Sequence, residues 1–252
     1  MSHAQSLNIG EQFVKSWQIL KSKFTALILS IFVIISLIIA AVILGYAVFQ
    51  ALLNVDLLIK NILAFNIGAR FFFYLIYLIL GVIAQIILIN VFLKDYASFK
   101  DNLFPLSSHF GHMLILNIIL SIFFVIAGTP FYASIIFFLM ANPVLGYTAI
   151  LTGLILTILC ATLFLFSPFI LIEKNSSWLA ALKESFAISK NNIIPIAFNL
   201  LIITFIFIIL NFFSIVLLNM SFVYMAVGTI LSLFLIMFCF SYLFVMYQNY
   251  KK

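Results

Sequence analysis

Side chains able to do acid–base or metal chemistry are scarce in this sequence. His109 and His112 stand three apart, a spacing at which two imidazoles on one helix turn share a metal ion. Pro105 and Gly111 argue against a regular helix there, and neither a cysteine nor a Glu-x-x-His partner accompanies them. Asp95 and Asp101 join the pair only if the loop folds back on itself. Histidines at a membrane interface are the ordinary reading, and no metal is expected. No GxSxG, HExxH or phosphate-binding glycine loop occurs, nor any close pair of carboxylates. The connections between apolar runs are too short for a soluble catalytic domain. No catalytic residue and no cofactor is expected, and the chain reads as a non-enzyme.

What remains is a set of uncharged amides inside long apolar runs: Gln85, Asn90, Asn117, Asn199 and Asn211. An amide buried without a partner is costly. The ordinary reading is hydrogen bonding between helices, worth roughly 0.6–2 kcal/mol each in a membrane. The alternative is an uncharged cavity for a ligand. No ionisable side chain falls firmly inside a predicted span. Arg70, Lys94 and Glu173 sit at the ends, where long side chains reach the interface. A proton-coupled mechanism therefore has no relay.

The elements that hold these residues follow from composition. The chain is 67% hydrophobic and 7% charged, against roughly 25% charged in soluble proteins. No water-soluble core absorbs that much apolar surface, so the bilayer is the solvent. A helix needs about 20 apolar residues to cross roughly 30 Å of hydrocarbon. Uncharged runs extend over Phe24–Phe49 and Phe71–Leu93, and over the double-length stretches Phe110–Ile172 and Ile193–Gln248. Breaks at "MANPVLG" (140–146) and "LNMS" (218–221) divide the long ones.

The fold class expected is all-α: a polytopic membrane protein, one integral membrane domain over residues 1–252, with six transmembrane helices near 24–49, 70–93, 113–139, 146–172, 193–217 and 222–247. The first run outlasts the roughly 7–15-residue core of a secretory signal and reads as a retained span. Pro130 predicts a kink in the third span, with a re-entrant segment as the alternative. Ala149, Gly153, Thr157 and Ala161 repeat at fours and predict close helix packing. Cys160 and Cys239, both within spans, read as small hydrophobes.

Basic residues set the orientation. Lys15, Lys21, Lys23, Lys94, Lys100, Lys174, Lys183, Lys190, Lys251 and Lys252 fall on one side, and only Lys60 and Arg70 on the other. Both termini are expected in the cytoplasm. The net charge of +6 follows the inner leaflet, and no nucleic acid is expected as a partner.

Two wet, lysine-bearing segments precede long apolar runs: "IGEQFVKSWQILKSK" (9–23) and "WLAALKESFAISKNN" (178–192). Laid over each other without a gap, Ser16 meets Ser185, Ile19 meets Ile188 and Lys21 meets Lys190. Ile9, Phe13, Trp17, Leu20 and Phe24 form one helical stripe, and Trp178, Leu182 and Phe186 form its counterpart. Asn8 with Glu11 resembles a capping box, and Ser176 or Ser177 caps the second copy. Amphipathic helices over 8–23 and 177–191 are predicted to lie in the interface with lysines at the headgroups. A third such segment, 94–112, is broken by Pro105. Membrane lipids are the expected contact, and a membrane-protein partner is the alternative. Ser16, Trp17, Lys21, Ser185, Phe186 and Lys190 are the candidate contact residues, and Gln85, Asn117, Asn199 and Asn211 the candidate intramembrane polar residues.

The stretch "FSPFILIEKNSSWLAALKESFAISKNN" (166–192), following an amphipathic start and a span, resembles the YciC-type bacterial inner-membrane proteins. That family is related to the membrane domain of some glycerophosphodiester phosphodiesterases. Pro168, Ala181-Leu182, Ser185, Lys190 and Asn191 carry the likeness. The resemblance implies a six-helix inner-membrane protein without catalytic residues of its own. The role expected for the chain is structural or accessory, in membrane or envelope maintenance. A transporter or lipid-translocating protein with an uncharged cavity is the alternative. A reporter fused after Lys252 is expected to remain in the cytoplasm, and its export would contradict the threading.

Overall fold

The computed structural model describes residues 8–53, 62–93, 106–218 and 222–251. Among these the chain is all-α, without a strand. The helices are α1 (Ile9–Leu53), α2 (Ile62–Leu93), α3 (Leu106–Leu139), α4 (Pro143–Phe164), α5 (Ser167–Glu173), α6 (Trp178–Lys190), α7 (Ile193–Leu218) and α8 (Phe222–Tyr250). Four stretches are long and apolar enough to cross a membrane: Ile9–Ala41, Ser108–Leu139, Pro143–Glu173 and Ser232–Tyr250. A fifth is counted if Trp178–Lys190 and Ile193–Ile206, bent by 99° from one another, make one span. Leu78–Leu93 is a shorter apolar helix. Their outer surfaces are oily, with Leu139 at 83% and Ile194 at 82% exposure, as hydrocarbon-facing helices require.

The chain divides into two compact units, one of Met1–Lys23 with Ile115–Lys252 and the other of Phe24–Leu114. In the second, Leu27, Val82, Ile86, Ile89 and Met113 are buried. In the first, α7 and α8 pack along each other, α6 lies on α4 and α5, and α4 also meets α7.

Helix α1 begins with a reciprocal cap. The Glu11 N–H donates to Asn8 Oδ1 at 2.8 Å, and the Asn8 N–H donates to Glu11 Oε2 at 3.2 Å. The helix then runs on without a break. The surface helix over 8–23 and the span over 24–49 are thus a single helix, and residues 22–26 hold no helix breaker. The second copy does break. Pro195 has no N–H for the Asn191 carbonyl and crowds it, so α6 stops at Lys190. Asn192 then turns back, its side-chain amide donating to Ile188 O at 3.2 Å. A new helix starts with the Ile196 N–H donating to Asn192 O. At the position matching Pro195 the first copy has Ala26, the best helix former.

The α3–α4 connection is equally local in origin. Ala141 adopts a left-handed φ of 54°, and Asn142 caps α4 by accepting the Leu145 N–H at 3.2 Å. Pro143 occupies the first turn, where a missing N–H is harmless. Helix α3 continues through Pro130 to Leu139, so no re-entrant segment starts there. The Gly153 notch, expected to admit a neighbouring backbone, is filled by a ring instead. A Cβ on Gly153 would lie 2.9 Å from Phe131 Cδ2, while Phe123 stacks on Phe164 at 5.3 Å. Gly153→Leu is expected to destabilise the protein by about 1–3 kcal/mol through overpacking. Thermal unfolding in detergent should show the loss shrinking when Phe131→Ala opens the space.

Candidate functional site: a polar seam beside the break in α4

The seam begins where the span 143–173 is interrupted. Helix α4 ends at Phe164, Leu165 and Phe166 form a turn, and α5 starts with Pro168 in its first turn. Proline leaves the Phe164 carbonyl without its backbone donor. In apolar surroundings such a carbonyl needs another partner. The Ser167 hydroxyl donates to Phe164 O at 2.6 Å. One residue earlier, Leu163 O accepts the Ser185 hydroxyl at 2.9 Å, reaching across from α6. Ala181, Ser185 and Ser189, spaced at fours and all 0% exposed, make the flat face that lets α6 come this close.

A second line of polar contacts joins α1 and α7 to α8. The Ser241 hydroxyl donates to Ser16 O at 2.7 Å, and Ser16 donates to Gln12 O at 2.6 Å. Phe13 packs against Phe238 and Tyr242, with centroids at 5.7 and 5.0 Å. Trp17 meets Phe234 edge-on. The buried Tyr242 hydroxyl donates to Asn199 Oδ1 at 2.5 Å, and Asn199 Nδ2 donates to Pro195 O at 2.8 Å. At the end of α8, Tyr247 and Lys251 both bind the Glu173 carboxylate. The Tyr247 ring lies against Phe166 and Phe169. Lys174 pairs with Glu184 outside this knot.

These contacts divide the candidate contact residues. Ser16 and Ser185 are fully buried and hydrogen-bonded within the chain. Trp17 (52% exposed), Phe186 (45% exposed), Lys21 and Lys190 face outward. Trp17, Phe24 and Phe186 of the expected lipid-facing stripes are exposed, whereas Leu20 and Leu182 turn inward. The buried face of the first copy is Gln12–Ser16–Leu20, while Trp17 and Phe24 lie outside. In the second copy Leu182 is buried, Trp178 half-buried and Phe186 exposed. The reason is the solvent: an aromatic ring gains little by leaving lipid for protein, whereas small residues gain close packing and hydrogen bonds.

Paired position by position, residues 9–24 and 178–193 share the same exposure class at thirteen of sixteen positions. The exceptions are Phe13/Leu182, Lys15/Glu184 and Phe24/Ile193. The correspondence continues past them: Leu27 and Ile196 are buried alike. Ser30 and Asn199 each donate to the carbonyl four residues back. Three identities in the sequence understate this repeat.

Of the candidate intramembrane residues, Asn199 is held at both ends of its amide. Gln85 and Asn117 are half-buried and each engages another group. The Asn211 side chain lies outside the described residues. Asn90 is fully buried with neither amide atom hydrogen-bonded among the described residues. His109 is buried and His112 exposed. Among the described residues no three His, Cys, Asp or Glu side chains could hold a metal ion. A cleft of about 350 Å³ opens between Leu165, α7 and α8, lined by Leu200, Ile203, Thr204, Ile236, Cys239 and Leu243.

Sequence reasoning weighed amides and charges and passed over Tyr242, Tyr247 and Ser241. Their signal was present, since a buried tyrosine hydroxyl normally finds a partner. Ser185→Ala is expected to lower stability by about 1–3 kcal/mol, the cost of an orphaned Leu163 carbonyl. Tyr242→Phe should do likewise by stranding Asn199. Asn199→Leu combined with Tyr242→Phe should recover part of that loss, a coupling that a double-mutant cycle in detergent reads directly.

Compared with family models, curated proteins and solved structures, the chain matches none.

Proposed function

We propose that the chain is a multi-pass, six-helix protein of a bacterial inner membrane, with both termini in the cytoplasm. Its role is structural or accessory in membrane or envelope maintenance, exercised through lipid or partner contacts and without catalysis. One observation carries this reading. Two copies of the same amphipathic segment bury their serines and present an aromatic residue and a lysine one turn apart, Trp17 with Lys21 and Phe186 with Lys190. Such a pair suits the headgroup boundary, ring at the acyl edge and ammonium above it. The 99° bend between α6 and α7 supports it, since a surface helix attached to a span must turn by about a right angle. The lysine asymmetry supports the threading, and the YciC-type resemblance agrees with the location.

The engagement of Asn199 at both amide ends favours structural use of the intramembrane polar residues over a polar transport cavity. The reading is tested by extracting the protein into native nanodiscs and identifying the lipids and proteins that stay bound. The Trp17→Ala, Phe186→Ala double variant should accumulate normally and lose what the wild type retains. Identical retention by both would remove the repeated faces as the contact surface.

A further inference from the structure

We infer that the cleft beside Leu165 holds one acyl chain of an anionic glycerophospholipid, with its headgroup at the level of the α6–α7 bend. This rests on the membrane reading above and adds a defined site to it.

The cleft lies beside the break after α4. Leu165, outside both α4 and α5, lines it together with residues of α7 and α8. Its lining is almost wholly hydrocarbon: Leu165, Leu200, Ile203, Ile236, Phe240 and Leu243, with only Thr204 and Cys239 bearing a weakly polar atom. A polar solute finds no orienting group there, whereas an alkyl chain needs none. The volume of about 350 Å³ holds on the order of a dozen groups of water or methylene size, at roughly 30 Å³ each.

Depth and charge identify the rest of the molecule. Leu200 lies seven residues into α7, about 10 Å along the axis from the bend at a rise of ~1.5 Å per residue. Asn199 and Tyr242, hydrogen-bonded to each other, stand one turn nearer that end than Ile203 and Cys239. Beyond them come the bend and the exposed lysines. Lys174 and Lys251 are matched by Glu184 and Glu173. Lys183 and Lys190 are exposed and have no carboxylate partner among the described residues. An uncompensated positive end above an apolar cleft complements a lipid with a negative headgroup, each lysine contributing about 1 kcal/mol near an anionic surface.

The test uses the full chain in mild detergent with phosphatidylglycerol or phosphatidylcholine of identical acyl chains, counting bound lipid by native mass spectrometry. The wild type should retain one phosphatidylglycerol in preference to phosphatidylcholine. Leu200→Phe and Cys239→Phe, which fill the cleft from opposite walls, should each weaken retention of both lipids by about tenfold. Lys183→Gln with Lys190→Gln should remove the headgroup preference alone. In a Cys160→Ala background, phosphatidylglycerol should also slow alkylation of Cys239, a readout that needs no bulky substitution in the cleft. Undiminished retention by the filled variants, equal retention of the two lipids by the wild type, or unchanged Cys239 alkylation would overturn the inference. Release of the chain from membranes by alkaline carbonate would instead overturn the membrane reading on which it rests.

Discussion

The first unit depends on two backbone carbonyls beside Pro168 that take hydrogen bonds from serine side chains. Proline at 168 interrupts a long apolar helix among buried residues, and a side-chain hydroxyl replaces the missing backbone donor. Ser167 does so locally, and Ser185 bonds Leu163 from another helix. The second bond has architectural consequences. To reach Leu163, α6 must lie against the α4–α5 turn, which is why its facing residues are Ala181, Ser185 and Ser189 rather than leucines. Once α6 is held there, α7 must depart from it at a sharp angle, and Asn191, Asn192 and Pro195 allow the turn. The same break leaves Leu165 between two helices, where it lines the cleft. Pro168 and Ser185, seventeen positions apart in the sequence, are two halves of one hydrogen-bonding solution.

Helix α8 closes this arrangement from the other side. Its serine reaches the backbone of α1, its first buried tyrosine reaches α7, and its last turns clamp Glu173 at the end of α5. The contacts descend the helix in order, Ser241, Tyr242, Tyr247 and Lys251, so one helix ties three others. The Glu173 knot combines a carboxylate, a tyrosine hydroxyl, an ammonium and two aromatic rings. Partial burial makes such a knot a stronger tie than an exposed ion pair, which is worth little.

Much of the helical content was legible because hydrophobic run length is a strong signal where lipid is the solvent. The turn at Asn142 and Pro143 and the cap at Asn8 and Glu11 follow local rules, while most of the break expected at 218–221 lies outside the described residues. What was not legible was which side of each amphipathic segment faces inward. The stripe of Phe13, Trp17 and Phe24 marks the side expected to face lipid, and the rule that large apolar residues seek the core belongs to water. In lipid that preference vanishes, and Ser16 and Ser185 take the interior. The cross-helix hydrogen bonds were also out of reach, because Ser241 with Ser16 and Tyr242 with Asn199 are long-range pairs that no spacing reveals. Nothing in the run from Phe110 to Ile172 distinguishes Leu165 as a break except Pro168 three residues on, and Pro130 in the same run breaks nothing.

Ala26 and Pro195 occupy matching positions in the two copies, one within an unbroken helix and the other at the start of a helix after a right-angle bend. Codons for alanine and proline differ only at their first base. A duplicated unit of this kind therefore stands a single nucleotide change from acquiring, or losing, its principal helix-breaking residue. Residues 9–24 and 178–193 keep one register of burial although Gln12 meets Ala181 and Leu20 meets Ser189, so the pattern of interior positions is shared more widely than either the residues that fill it or the direction in which the chain leaves it.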